Sequence, residues 1–320
     1  MRSVLRRLIQ LVVVLVAVSF FSYCLMAMVP GDPVLAIVGF GGTPKQMAGF
    51  RHQLHLDQPL VSQYWTWLSH FVHGNMGSIY SGPTGRSSVS KAIGQALPVS
   101  LQLMTYAMIL TVLIAIPLGV LSAYRSGTFL DKTITAGAFG SIALPDFALA
   151  VILTYWVGVK LGWLPTSGYV HPTDGIVKHL KSMTLPAVSL AVGQIAGYMR
   201  LLRSDMIATL QEDYILMAKS KGIPTRRILW RHALRPSSLT VLTVAGLNIG
   251  ALIGGTIVIE VLFRIPGMGK LLATAIFGRQ LPLLQSVVAV IAIGYVLVNV
   301  LVDVLYSILD PRIRDARAIA

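Results

Sequence analysis

Apolar residues gather along this chain in six long runs, each close to the roughly 20 residues that a helix needs to cross a hydrocarbon core of about 30 Å. The runs are Leu8–Val29, Leu97–Ala123, Ile134–Lys160, Leu185–Leu202, Ser237–Leu262 and Leu283–Leu309. They predict six transmembrane helices. The fourth is the most interrupted, because Gln194, Tyr198 and Arg200 break its apolar face. Two long polar stretches, 31–96 and 205–236, separate the runs. In the first, Thr43-Pro44 reads as an N-cap with a first-turn proline, and Asp57 to Pro59 opens another helix. In the second, helix-favouring residues lead to Gly222, which suits a left-handed C-cap, and Pro224 or Thr225 then restarts a helix. A helix, a sharp turn and a second helix are expected there.

Composition agrees with lipid as the main solvent. Only 12% of the 320 residues are charged while 55% are hydrophobic, and the mean hydropathy is +0.73. So few charges cannot cover a water-soluble body, which excludes a soluble enzyme and leaves an all-α integral membrane fold. The net charge of +14 would suggest nucleic acid in a soluble protein. Six spans, however, place both termini on one side, together with 16 of the 26 Lys and Arg: Arg2, Arg6, Arg7, Arg125, Lys132, eight from Arg200 to Arg235, and Arg312, Arg314 and Arg317. By the positive-inside rule the termini and 205–236 are cytoplasmic, and 31–96 is extracytoplasmic. The expected division is an N-terminal membrane helix (1–30), an extracytoplasmic region (31–96) and a core (97–320) with the cytoplasmic loop 205–236. No basic helix with interleaved aromatics stands outside this pattern, so no nucleic-acid partner is expected.

The chain's single cysteine, Cys24, sits in an apolar run and reads as a small buried hydrophobe. No A-x-A-like site closes that run, so the first helix is expected to be a retained anchor. His52 and His55 are too sparse for a metal site and read as surface residues; no metal is expected. Tyr64, Trp65, Trp67 and Phe71 suit either a membrane interface or a partner protein. Gly193 and Gly197, and Gly246, Gly250 and Gly254, repeat at i+4, a spacing that permits close helix approach and makes the fifth span a candidate contact with a second membrane subunit. Asp146 follows Pro145 near the middle of the third run, where a carboxylate must face water or a partner. It either lines a translocation path that attracts a cationic group, or forms a structural pair or a hydrogen bond in a proline kink. Gln194 and Asn248 are further candidates for that path, with interhelical hydrogen bonding as their other reading. Glu260 and Asp303, near span ends, are candidate gate or anchor charges, and Glu260 has Arg264 nearby.

The segment 213–236 resembles the signature loop of binding-protein-dependent ABC importers, in which a coupling helix of the membrane subunit inserts into a cleft of the ATPase. It is similar to the D-Y-x-x-x-A-x-x-K-G…H-x-L-R form of dipeptide, oligopeptide and nickel permease subunits. The matching residues are Asp213, Tyr214, Ala218, Lys221, Gly222, His232, Leu234 and Arg235. Lys219 and Arg226 extend the candidate coupling surface. Ile215, Met217, Ala218, Ile228, Leu229 and Trp230 are expected to form its apolar edge. The chain departs from the form at Met217, where a small residue is common, and at Pro236-Ser237-Ser238-Leu239-Thr240, in place of Asn-Ala-Leu-Leu-Pro. Asp146 is a third departure, since the family usually has a small or neutral polar residue there.

Other stretches resemble this family's B-type subunit in order along the chain: Pro30-Gly31-Asp32-Pro33, Leu56-Asp57-Gln58-Pro59-Leu60, Leu97-Pro98, Gly254-Gly255 with Glu260, Pro266-Gly267-Met268-Gly269, and Leu309-Asp310-Pro311-Arg312-Ile313-Arg314. The resemblance implies a type I ABC importer subunit of the bacterial inner membrane that takes up peptides, with nickel or glutathione as the alternative cargo. It implies a second related permease subunit, two ABC ATPase subunits that bind ATP and Mg, and an extracytoplasmic solute-binding protein. This chain has no G-x-x-x-x-G-K-[ST], so it is expected to bind no cofactor and to catalyse nothing itself. A transporter driven by an ion gradient is the competing class; it would call for an inverted repeat and several intramembrane carboxylates.

Overall fold

The structure, a computed structural model, describes residues 2–28, 32–38, 43–81 and 85–309. Pro30, Gly31 and the ending Asp310 to Arg314 lie outside the described residues, as does Arg317. The first helix, α1, runs Arg2–Met28 and at 1.5 Å per residue is about 40 Å long, enough for the first expected span. Short helices follow: α2 (Pro33–Val38), α3 (Pro44–Gln53) and α4 (Leu60–Val72). At the start of α3, Thr43 Oγ1 accepts from Gln46 N and Gln46 Oε1 accepts from Thr43 N, with Pro44 in the first turn. Both partners of this capping box are readable in the sequence. An antiparallel hairpin, β1 (Ser78–Ser81) and β2 (Gly85–Ser88), pairs Tyr80 with Arg86.

The remaining elements are helical. They are α5 (Val89–Tyr124), α6 (Phe129–Ile142), α7 (Asp146–Leu153), α8 (Ile176–Thr209), α9 (Asp213–Ser220), α10 (Thr225–Arg227), α11 (Leu234–Leu262), α12 (Met268–Phe277) and α13 (Leu281–Leu309). Among the described residues, α5, α8 and the Leu281–Val302 part of α13 are each long and apolar enough to cross a membrane alone, and two bent pairs raise the number to five. The chain is a multi-pass, all-α membrane protein.

The third expected span is not one continuous helix. Helices α6 and α7 meet at 104° across Ala143, Leu144 and Pro145. Pro145 lacks an N–H and its ring keeps Leu144 out of the helical region, so the first helix must end and a second begin. Pro145 itself, at φ −60° and ψ 145°, stands at the N-cap of α7, and the helix continues beyond Leu153 as a π-helical segment, Thr154–Lys160. The fifth span also bends, by 54° between Thr225–Gly250 and Leu252–Leu262.

Internal contacts divide the chain into two compact units, Met1–Ser100 with Pro266–Val296, and Leu101–Ile265 with Leu297–Ala320. Region 31–96 falls in the first of these, with 266–296. In the first unit, Val89, Ile93 and Ala96 pack with Met268, Ala275, Leu283 and Val287, because α12 and the start of α13 have apolar faces that need cover. Gln280 clamps the Tyr80 backbone from both sides: its Nε2 donates to Tyr80 O (2.6 Å) and its Oε1 accepts from Tyr80 N (3.0 Å). Tyr64 is core rather than surface; its hydroxyl lies 2.9 Å from Ser19 Oγ, and its ring meets Phe20 and Tyr23 edge-on. Trp65, in contrast, is exposed.

The second unit is built around α8, which packs on α6, α7 and α11. Its core joins Met199, Leu202 and Met206 of α8 to Ala115 and Val120 of α5, Ile215 of α9 and Val241 and Ala245 of α11.

Candidate functional site

The loop after α8 is formed by cap chemistry. Helix α9 starts at Asp213, whose carboxylate suits a helix N-terminus. It ends with Gly222 N donating to Lys219 O and Ile223 N to Ala218 O. Gly222 stands at φ +71°, the left-handed position that such a helix end requires. Pro224 then caps α10, which passes through a π-helical turn, Ile228–Ala233, into α11.

The loop has two faces, and they correct the expected apolar edge. Ile215, Ala218, Ile228 and Leu229 are all buried in the core with Met206 and Ala233. Tyr214, Leu216, Met217 and Trp230 are exposed. Residues 215 and 218 share one side of α9 by the i, i+3 spacing, while 214 and 217 share another. The buried set therefore anchors the loop, and the exposed set, with Asp213, Lys219, Lys221, Gly222 and Arg226, is its free surface. One recess on that surface, about 680 Å³, is lined by Pro224, Arg226, Arg227, Trp230 and Arg231 and has no acidic residue in its wall. His232 is half-buried, and its Nε2 has no hydrogen-bond partner among the described residues.

The membrane-embedded polar residues fall around α8. Asp146 is half-buried in the first turn of α7, where a carboxylate complements the helix dipole. A Cβ on Gly193 of α8 would lie 3.3 Å from its Oδ1, and one on Gly255 of α11 would lie 3.7 Å from its Oδ2. The carboxylate thus sits in a niche between glycines of two helices. It has no hydrogen bond or ion pair with a described residue. Next along α8, Gln194 accepts from the Tyr198 hydroxyl (2.9 Å), which Asn248 of α11 also faces. Tyr198 therefore links Gln194 and Asn248, the two amide residues expected near the same path.

The glycine repeats do not act as continuous contact faces within this chain. Gly246 is tight, since a Cβ there would lie 2.6 Å from Val302 Cγ1, and Gly250 is buried. Gly197 and Gly254, however, have no described atom within 4 Å of a built Cβ. A spacing pattern shows which positions share a stripe, not which stripe a neighbour covers. Glu260 is fully buried near the end of α11, and its carbonyl accepts from Ile265 N. Asp303 lies on α13, and its side chain is outside the described residues. His52 is exposed and His55 half-buried, with no cluster of three metal-ligating groups among the described residues.

One polar centre was missed. Asp131, at the start of α6, is buried and receives a bidentate pair from Arg203 of α8, Nε to Oδ1 at 2.7 Å and Nη2 to Oδ2 at 2.8 Å. Ser122 Oγ of α5 and Gly127 N donate to the same carboxylate. The group ties α5, α6 and α8 together beside the loop. The two partners are 72 residues apart, and each reads alone as a flanking charge. No local spacing signals the pair.

Residues 115–315 match the family model described as binding-protein-dependent transport system inner membrane component, and residues 1–104 match the model of the N-terminal part of such components. The chain is similar to a protein of Brucella abortus (strain 2308) named as a peptide transport system permease, at 38% identity over 313 residues, covering 97% of this chain and 98% of that one. It is similar also to the oligopeptide transport system permease protein AppB of Bacillus subtilis (strain 168), at 35% identity over 312 residues, again 97% and 98%. Among solved structures, a chain of the MetNI methionine ABC transporter in inward facing conformations shares the fold, with a TM-score of 0.57 and 16% identity over 68% of this chain and 96% of that one.

Proposed function

Belonging to the binding-protein-dependent transport system inner membrane component family, the chain is a permease subunit of a peptide ABC importer, and we propose that ATP-driven motion enters it through the loop 205–236. The observation that carries this reading is the division of the loop into an anchored face and a free face. A rigid lever needs a side fixed to the bundle, which Ile215, Ala218, Ile228 and Leu229 supply. It also needs a surface for the moving partner, which Tyr214, Met217, Trp230 and the arginine-lined recess supply.

Two ABC ATPase subunits, which bind ATP and Mg, dock below, one on this loop and one on a second, related permease subunit. An extracytoplasmic solute-binding protein delivers peptide from above. Both termini lie in the cytoplasm and the membrane is the bacterial inner membrane, as the 16 cations on that side indicate. Nucleic acid plays no part. Closing of the ATPase dimer moves the loop and switches the cavity between faces, which requires the loop to bind the two ATPase conformations with different affinity. The open Gly197 and Gly254 positions suit close contact with the second permease subunit. Glu260, which is buried, and Asp303 are gate or anchor charges.

Asp146 lies on the path and attracts the cationic amino terminus of a peptide. Gln194 and Asn248 lie near it as further polar groups. Reconstitution of the complete transporter in proteoliposomes tests the reading. Peptide uptake should require both ATP and the binding protein, and uptake by this chain alone under a proton gradient would contradict it. In the same assay Asp146→Asn should lower uptake about tenfold, the effect of losing roughly 1.4 kcal/mol of attraction. Unchanged affinity and rate at normal expression would remove Asp146 from the path.

A further inference from the structure

Within the unit formed by Met1–Ser100 and Pro266–Val296, a cavity of about 270 Å³ lies among α1, α4, the hairpin and the start of α13. At about 30 Å³ per molecule this is room for roughly nine waters, or for a small polar group with part of its shell. Its wall is polar: Gln63, Trp67, His70, Asn75 and Gln285 contribute to it, and Arg86 stands at the rim. No Asp or Glu lines it.

Two donors in that wall are unused. Trp67 Nε1 and Gln285 Nε2 are both buried, and neither makes a hydrogen bond with a described residue. Gln285 is only 3% exposed, and one N–H of its amide faces the Tyr23 hydroxyl oxygen, which leaves the second N–H for the cavity. That hydroxyl donates to Gln63 Oε1 (2.6 Å), while Gln63 Nε2 donates to Gln58 O (2.7 Å). Neighbouring groups are thus paired, while the Trp67 N–H and the second Gln285 N–H are left for the space. An indole N–H can only donate, so whatever meets Trp67 must be an acceptor. Buried polar groups in folded proteins are almost always satisfied, and a polar cavity of this size exists to be filled. Arg86 adds positive charge; its guanidinium is held 5.3 Å over the Tyr80 ring, with Nη2 3.3 Å from the Tyr80 hydroxyl. Unopposed donors beside a fixed cation are the chemistry that recognises an anionic oxygen.

We propose that this cavity is a carboxylate-binding subsite of the permease, with Trp67 and Gln285 as its donors and Arg86 as its countercharge. On the importer reading given above, on which this rests for its side of the membrane, the carboxylate is either the C-terminus of an arriving peptide or an acidic side chain of the solute-binding protein. The test uses the complete transporter in nanodiscs, assembled with this chain's five tryptophans replaced by 5-fluorotryptophan and the other subunits unlabelled, and the Trp67 fluorine resonance assigned through Trp67→Phe. Alanylalanine should shift that resonance saturably, and its carboxamide should act at least about tenfold more weakly. Gln285→Leu and Arg86→Gln should each weaken the response. If alanylalanine has no effect but the binding protein shifts the resonance, the carboxylate belongs to that partner. A resonance silent to both, or equal responses to the acid and the carboxamide, overturns the proposal. Normal peptide uptake alongside that silence would leave the importer reading intact.

Discussion

Ala218→Glu should separate this chain from its ATPase partner and abolish peptide uptake. Ala218 is 7% exposed and lies on the anchored face of α9, packed in the core that also holds Ile215, Ile228 and Ala233. A carboxylate there is taken out of water with no cation of the core to meet it, at an effective penalty of several kcal/mol. The loop can relieve that penalty only by lifting off the bundle, which destroys the lever. Met217→Glu provides the contrast, because Met217 is 59% exposed on the adjacent free face. It should leave heat stability unchanged while still reducing copurification of the ATPase. If both variants retained the ATPase and transported normally, the loop would not be the docking site.

Asp131→Ala should be strongly destabilising, although it lies outside the loop. It removes the only charge that meets Arg203 in the pair and leaves Gly127 N–H and Ser122 Oγ without their acceptor. Breaking one side of a buried ion pair costs about 3–5 kcal/mol, because the other charge stays buried without compensation. The Asp131 side chain is 5% exposed and that of Arg203 26%, so Arg203→Ala, which strands the more buried partner, should be at least as harmful. In the double variant the loss should be much smaller than the sum, the mark of two residues acting as one unit. Heat-unfolding midpoints of the detergent-purified complex would show this. Strictly additive losses would mean that the pair does not hold α5, α6 and α8 together.

These two sites differ in how far they could be read from the chain. The loop is local: Gly222 at the end of a helical run, followed by Pro224, specifies the turn, and the structure places Gly222 at positive φ. Its family form is equally local. Which residues of the loop face the bundle depends on neighbours from α8 and α11, so the apolar edge divided into core and surface. The break before α7 was written in Pro145, but a run that stays apolar on both sides of a proline reads as one span when only hydropathy is counted. The hairpin Ser78–Ser88 has strands of four residues and no clear alternation to announce it. The Asp131–Arg203 pair and the Gln280 clamp on Tyr80 join residues 72 and 200 positions apart. Such contacts belong to the packed fold, and a single sequence carries no local trace of them. The choice of transport class became firm for a different reason. A gradient-driven transporter remained an alternative on composition, and the family match over residues 115–315 removed it.

The claim on which the account turns is that the free face of α9 touches the ATPase during transport. It can be tested by placing a single cysteine at Met217, with Cys24 replaced by Ala, and adding a short thiol-to-amine cross-linker to the assembled transporter. The account predicts an adduct between position 217 and the ATPase subunit whose yield changes when ATP is bound. No adduct from position 217, or an equal yield from a control cysteine at exposed Leu113 of α5, would contradict it.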